Sequence, residues 1–300
     1  MCSSDLIAAV FLALFVVAEL RSAAPLLHLD LFKNRAFSVA SIATVIGMFA
    51  FLGTAYSTSI RLTAILNWTP LHASVAFLLF NGLALPLIPL TSRLLEHYNP
   101  RWTMGVGLAL MAAGDLWTAA VPVATQTGLG PVIAPYALIG VGFALSVSAL
   151  TAVLVDTAPN HLAGMASGAA NMLRDFGFTL GPAVVGAITL SRAAADIQAK
   201  LASDSALARR LAVFNASAAK NPALKPVVGA VNSGPLGANS VPNPPNPLKN
   251  VAFDALGHAN SIGYLVCGIA ALVSALLVML ALGGGTRDNV ITRESLAEDE

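Results

Sequence analysis

The chain has 300 residues, of which 56% are hydrophobic and only 10% charged, against about 45–50% and about 25% in soluble domains. Its mean hydropathy of +0.76 describes an all-α polytopic membrane protein with the lipid bilayer as its partner. A formal net charge of +1, with no basic face interleaved with aromatics, excludes nucleic acid as a partner.

Met1 to Leu6 read as the translation of a sequencing-adapter tail, which sets Cys2 and Asp5 aside as foreign residues. An apolar run from Ile7 to Leu20 reads as the end of a membrane helix, and 21–36 as a linker. A span needs about 20 apolar residues, and six segments then qualify, near 37–59, 71–91, 103–122, 132–154, 165–189 and 260–282. Lys and Arg in short loops set orientation. Arg21, Lys33, Arg35, Arg93, Arg101, Arg287 and Arg293 fall on one side, against Arg61 alone on the other. The 21–36 segment and the tail at 283–300 are therefore expected in the cytoplasm, and the long connection at about 190–259 outside. Its first half, Arg192 to Lys220, has Ile197, Leu201, Leu211 and Phe214 at helical spacing and predicts a surface helix. Its second half holds Pro222, Pro226, Pro235, Pro242, Pro244, Pro245 and Pro247, which predict loop.

Polar residues inside spans are the candidates for function, because ionisable groups in hydrocarbon are costly and normally face a bundle interior or a watery cavity. Asp115 falls about twelve residues into its span, near the bilayer middle at about 1.5 Å per residue, where a carboxyl can carry a proton; a hydrogen-bonded packing role is the alternative. Asn171, Arg174 and Asp175 lie in the middle of the fifth full span. Adjacent helical residues point about 100° apart, so Arg174 and Asp175 do not share one face, but with Asn171 they mark out a broad polar strip. Gly164, Gly168, Gly177 and Gly181 on this segment predict close helix approach. Glu19 and Asp156 sit near span ends, as do Trp68 and Trp102, where interface anchoring accounts for them. His28, His72, His97, His161 and His258 are scattered without ligand spacing, and Cys2 and Cys267 stand alone, so no metal site is expected. No nucleophile elbow, phosphate loop or dinucleotide fingerprint is present, and no enzyme is expected.

Three segments, Leu29-Asp-Leu-Phe-Lys-Asn-Arg-Ala-Phe37, Ser92-Arg-Leu-Leu-Glu-His-Tyr-Asn-Pro-Arg101 and the stretch from Gly164 to Gly186, resemble in order and spacing the C-terminal part of fourteen-helix drug:proton antiporters of the major facilitator superfamily. The family's cytoplasmic loop pattern, G-x-L-A-D-R-x-G-x-R-R, survives here as a degenerate copy. Arg93, Pro100 and Arg101 are kept, with Ser92 for Gly, Glu96 for Asp, His97 for Arg and Asn99 for Gly. Gly177, Gly181, Pro182 and Gly186 echo the antiporter pattern G-x-x-x-G-P-x-x-x-G. The resemblance matches at Asn171 and Arg174; an uncharged polar residue is more usual at Asp175.

What the resemblance implies is a six-helix C-terminal bundle plus one partial preceding helix, belonging to an exporter of small amphipathic drugs that uses protons as its coupling ion and no cofactor. A bacterial cytoplasmic membrane is the expected location. Transport by rocking of two halves needs both, so a missing N-terminal half-bundle is the expected partner, and the chain alone is not expected to transport. Export of an endogenous metabolite, or a non-transporting half-unit that pairs with a separate chain, are the other readings.

Overall fold

The computed structural model describes residues 10, 11, 14, 29–126, 128–159 and 162–281. The expectations for Met1 to Leu6, Glu19, Arg21, Arg287 and Arg293 lie outside them. A 3-10 turn, Leu29–Lys33, leads into α1, Arg35–Ser59. Asn34 starts α1 by accepting the Ala36 amide on Oδ1 at 2.9 Å, a side-chain cap for a donor the helix itself leaves unpaired. The helix does not stop at Ser59. It winds on as a π turn over Ile60–Ile65 and ends at Asn67, which takes a φ of 55°.

The second span is broken. Thr69 and Pro70 open α2, Pro70–Asn81, and α3 covers Ala84–His97 with Pro89 inside it. Prolines at 86 and 89 withhold amides from the first turns of α3, so the chain restarts its helix rather than continuing one. Asn99 caps α4, Pro100–Ala120, with Pro100 in the first turn, where its missing amide costs nothing. Then come α5, Gly130–Asp156, and α6, Ala163–Ser203. The last long helix, Lys249–Ala281, is α10.

Among the described residues, these helices, with α2 and α3 together as one broken member, form a six-membered bundle in which α1 packs on α6, α4 on α5, and α10 on α1, α4 and α6. α1 with its π turn, α5, α6 and α10 are each long and apolar enough to cross a membrane. Backbone contact sets the tightest seams. A Cβ on Gly177 would stand 2.5 Å from Val45 O and one on Gly181 2.6 Å from Phe49 O, so only glycine lets α6 approach α1 this closely. Phe51 of α1 stacks on Phe143 of α5 at 3.6 Å between ring centres and fills the bundle interior.

Two expectations for 190–259 are corrected. α6 runs unbroken through the predicted boundary at 189 to Ser203, and Asp204 both ends it and caps α7, Ser205–Lys220, accepting the Ala206 and Leu207 amides at 3.0 Å each. Those bonds, that of Leu207 first, together with nearby Lys200 and Arg210, hold the Asp204 carboxyl below the usual range. The proline-rich half is mostly helical instead of loop: a 3-10 turn at Pro222–Leu224, then α8, Lys225–Asn232, and α9, Pro235–Ser240. Pro222, Pro226 and Pro235 each occupy the first turn of their element, the position where proline is preferred rather than disruptive. Asn221, the link at 233–234 and the stretch 241–248 lack helix.

Candidate functional site

One stripe of α1 carries Thr54, Thr58 and Arg61, spaced by four and three residues and therefore stacked on one face. All three are fully buried. Thr54 Oγ1 donates to Asp115 Oδ1 of α4 at 2.7 Å. One turn along α1, Thr58 Oγ1 lies 2.7 Å from the Tyr264 hydroxyl of α10, which lies 3.2 Å from the Tyr136 hydroxyl of α5. One further turn brings Arg61, whose guanidinium stands over the Tyr264 ring at 5.9 Å. Its Nε donates to Gln126 Oε1 at 2.6 Å and Nη2 to Val121 O at 2.7 Å. Four elements of the bundle thus contribute to one internal polar file, with a carboxyl at one end and a guanidinium at the other, where α1 closes.

Asp115 is 0% exposed, and its Oδ2 has no hydrogen-bond partner among the described residues. Beside it sit Gly268, whose added Cβ would be 3.1 Å from the Asp115 Cβ, and the buried Cys267. A buried carboxyl with one donor, and one oxygen without a partner among the described residues, is chemically suited to take up and release a proton.

Arg61 is a correction to the sequence expectation, which counts it among loop residues. The π turn carries α1 six residues past Ser59, and the fork of Arg61 turns inward onto carbonyls at the broken end of α4. The signal available in the sequence is its spacing from Thr54 and Thr58, which places it on the same polar stripe.

Asn171, Arg174 and Asp175 do not face the interior of these six helices. Asn171 is exposed, and the side chains of Arg174 and Asp175 are 35% and 71% exposed, with Arg174 Nε 3.8 Å from Asp175 Oδ1. They share the outer face of α6 with the exposed Met172 and Phe176. Gly164 and Gly168 have nothing within 4 Å of an added Cβ, so they are not packing positions here. Gly177 and Gly181 meet α1, and Gly186 meets the Tyr56 ring, where a Cβ would be 3.0 Å from the hydroxyl. Pro182 lies within α6. Glu96 and Arg93 sit on the exposed last turns of α3. Arg101, in the first turn of α4, stands over the Trp102 ring at 5.2 Å.

The model of the Major Facilitator Superfamily matches residues 6–191, a stretch that contains the whole of α1 to α5 and α6 as far as Ser191. The chain belongs to the major facilitator superfamily. Among similar superfamily proteins, the multidrug resistance protein Stp of Mycobacterium tuberculosis is 30% identical over 196 residues, 65% of this chain and 36% of that protein. The tetracenomycin C resistance and export protein of Streptomyces glaucescens is 28% identical over 178 residues, 59% of this chain and 33% of that protein. An uncharacterised MFS-type transporter of Mycobacterium tuberculosis is 29% identical over 188 residues, 62% of this chain and 32% of its own. The matched stretch thus spans about a third of the length of these relatives. As a member of the superfamily the chain is an integral membrane protein, and its internal polar file lies in the stretch that the family match covers, apart from the α10 residue Tyr264.

Proposed function

We propose that the chain is the second half of a proton-coupled exporter of drugs or other small amphipathic molecules, seated in a bacterial cytoplasmic membrane with its C-terminus inside. The observation that carries this reading is Asp115, a carboxyl fully buried between α1, α4 and α10 that accepts a hydrogen bond from Thr54. An intramembrane acid of this kind marks a proton relay by default. The drug-resistance names of similar proteins support the class of cargo. In this reading the exposed strip of Asn171, Arg174 and Asp175 serves the face of α6 that meets the missing first half, and Arg93, Glu96 and Arg101 line the cytoplasmic end.

The test is Asp115→Asn in the complete gene product. Asparagine keeps the shape and the bond from Thr54 but cannot exchange a proton. Proton-driven ethidium uptake into inverted membrane vesicles is expected to fall at least tenfold, with dye binding to the purified protein retained. Uptake at the wild-type rate removes Asp115 from proton coupling.

A further inference from the structure

Two adjoining clefts open beside the first turns of α10, and no residue of the internal file lines either of them. The larger, about 360 Å³, lies between the end of α4, the 3-10 turn Val123–Thr125 and α10. Its walls are mostly apolar, with Ala119, Ala120, Val123 and Ala124 before α10 and Phe253 on it. The smaller, about 280 Å³, shares Asp254 and His258 with the first and reaches Asp196 and Lys200 of α6. Three polar side chains line the larger cleft, and two of them are engaged. Ser261 Oγ donates to Gly257 O at 3.3 Å, and His258 Nδ1 lies 3.0 Å from Asp196 Oδ2. The third is Asp254. It is exposed, stands four residues before His258 and so on the same side of α10, and its carboxylate makes no hydrogen bond or ion pair among the described residues.

A cleft of this size, walled by apolar side chains with a few polar groups among them, has the form of a small-molecule site. The polar group left open decides the charge of the occupant. A carboxylate next to an aromatic ring suits an organic cation, which is attracted to both, whereas an anion would meet Asp254 unshielded. Across the two clefts Asp196 and Asp254 stand against Lys200, so with His258 neutral the lining favours one positive charge. The alanine walls offer no polar side chain and match an apolar body rather than a hydrated metal ion.

We propose that the cleft between the end of α4 and α10 binds an organic ammonium ion with a compact apolar body, its nitrogen held by Asp254 beside Phe253 and its body on the wall formed by Ala119, Ala120 and Ala124. The site is separate from Asp115 and needs no proton transfer. Asp254 is its specificity-determining residue, because it is the one polar side chain of the larger cleft that no other described residue engages.

Benzyltrimethylammonium, which is permanently charged, serves as the probe. Ala120→Cys places a reporter thiol on the cleft wall, while Cys267 is fully buried. The complete protein, in phosphatidylglycerol nanodiscs, is treated with the uncharged reagent methyl methanethiosulfonate, and modification at position 120 is followed by peptide mass spectrometry. Excess probe is expected to slow that modification at least fivefold, and to have no effect once Asp254→Asn is added, a change at an exposed and unpaired side chain that leaves the fold intact. Absence of slowing with Asp254 present overturns the proposal, as does equal slowing without it. Ala124→Cys repeats the measurement should Ala120→Cys itself fail to fold or obstruct the cleft. A thiol already shielded in phosphatidylethanolamine nanodiscs, with no further effect of the probe, makes a lipid headgroup the occupant and also overturns the proposal. Protection is read without transport and is expected unchanged in Asp115→Asn, so failure of Asp115 as the coupling acid and failure of the cleft are separately visible.

Discussion

At the scale of single residues, Arg61 has the largest consequence for stability. Its guanidinium serves Gln126 Oε1 and Val121 O at ordinary hydrogen-bond lengths and reaches Thr118 O at 3.5 Å. Arg61→Ala removes the donor and leaves those acceptors buried, at about 1–3 kcal/mol for each. A loss of several kcal/mol is expected, read as a large drop in the thermal midpoint of the purified protein in detergent. Arg61→Lys keeps the charge but not the planar fork, and is expected to recover only part of the loss. An alanine variant as stable as wild type would show that the guanidinium holds nothing together. The neighbouring groups explain why sequence reading missed it: all three acceptors lie near the end of α4 or just after it, about sixty residues away along the chain.

Among elements, α6 shows how spacing and packing differ. Gly164 and Gly168 are four apart, and so are Gly177 and Gly181, which reads as one continuous small-residue seam. Nine residues separate Gly168 from Gly177, however, and at about 100° per residue that is half a turn, so the two pairs lie on opposite faces. The later pair meets α1; the earlier pair points away from the bundle with the face that carries Asn171 and Asp175. Gly181→Ala would put a Cβ 2.6 Å from Phe49 O and 2.7 Å from the Gly53 amide nitrogen, backbone atoms that cannot swing aside. It is expected to destabilise by about 1–3 kcal/mol through overpacking. Gly168→Ala meets nothing within 4 Å and is expected to be neutral or to stabilise by up to about 1 kcal/mol through helix propensity. Thermal melts of the two variants side by side check the contrast, and the opposite ranking would place the α1 seam on the wrong glycines.

Across the whole molecule, the segment from the end of α6 to the start of α10 is a folded cap seated on one end of the bundle. Ile197, Leu207, Phe214, Val231 and Leu256 form its core together with Ile65 of the π turn and Val123. Asn239 of α9, 0% exposed, clamps it by donating to Ala64 O at 2.7 Å and Ile65 O at 3.4 Å, the carbonyls that end the turn carrying Arg61. Asn239→Ala leaves those carbonyls unpaired. Faster amide hydrogen exchange is expected across 205–248 with the bundle helices unchanged, and identical exchange would mean that the apolar core alone holds the cap.

The sequence by itself determined the class of this protein. Hydropathy is a property of composition along a short window, so the apolar segments and the acid at Asp115 were legible locally, whereas Pro222, Pro226 and Pro235, each in the first turn of a helical element, read as loop because proline at a helix start and proline in a loop look alike in sequence. What the tertiary structure decided is which way each helix turns and what meets inside. The bond from Thr54 to Asp115 joins residues 61 apart and that between Thr58 and Tyr264 joins residues 206 apart, and no local signal sets such pairs. The same holds for Arg61, buried because a π turn extends its helix, and for Arg174, left on the surface because α6 turns its glycines toward α1. In a membrane helix both faces are apolar enough to bury, so rotation about the axis is fixed by close packing with partners distant in the chain.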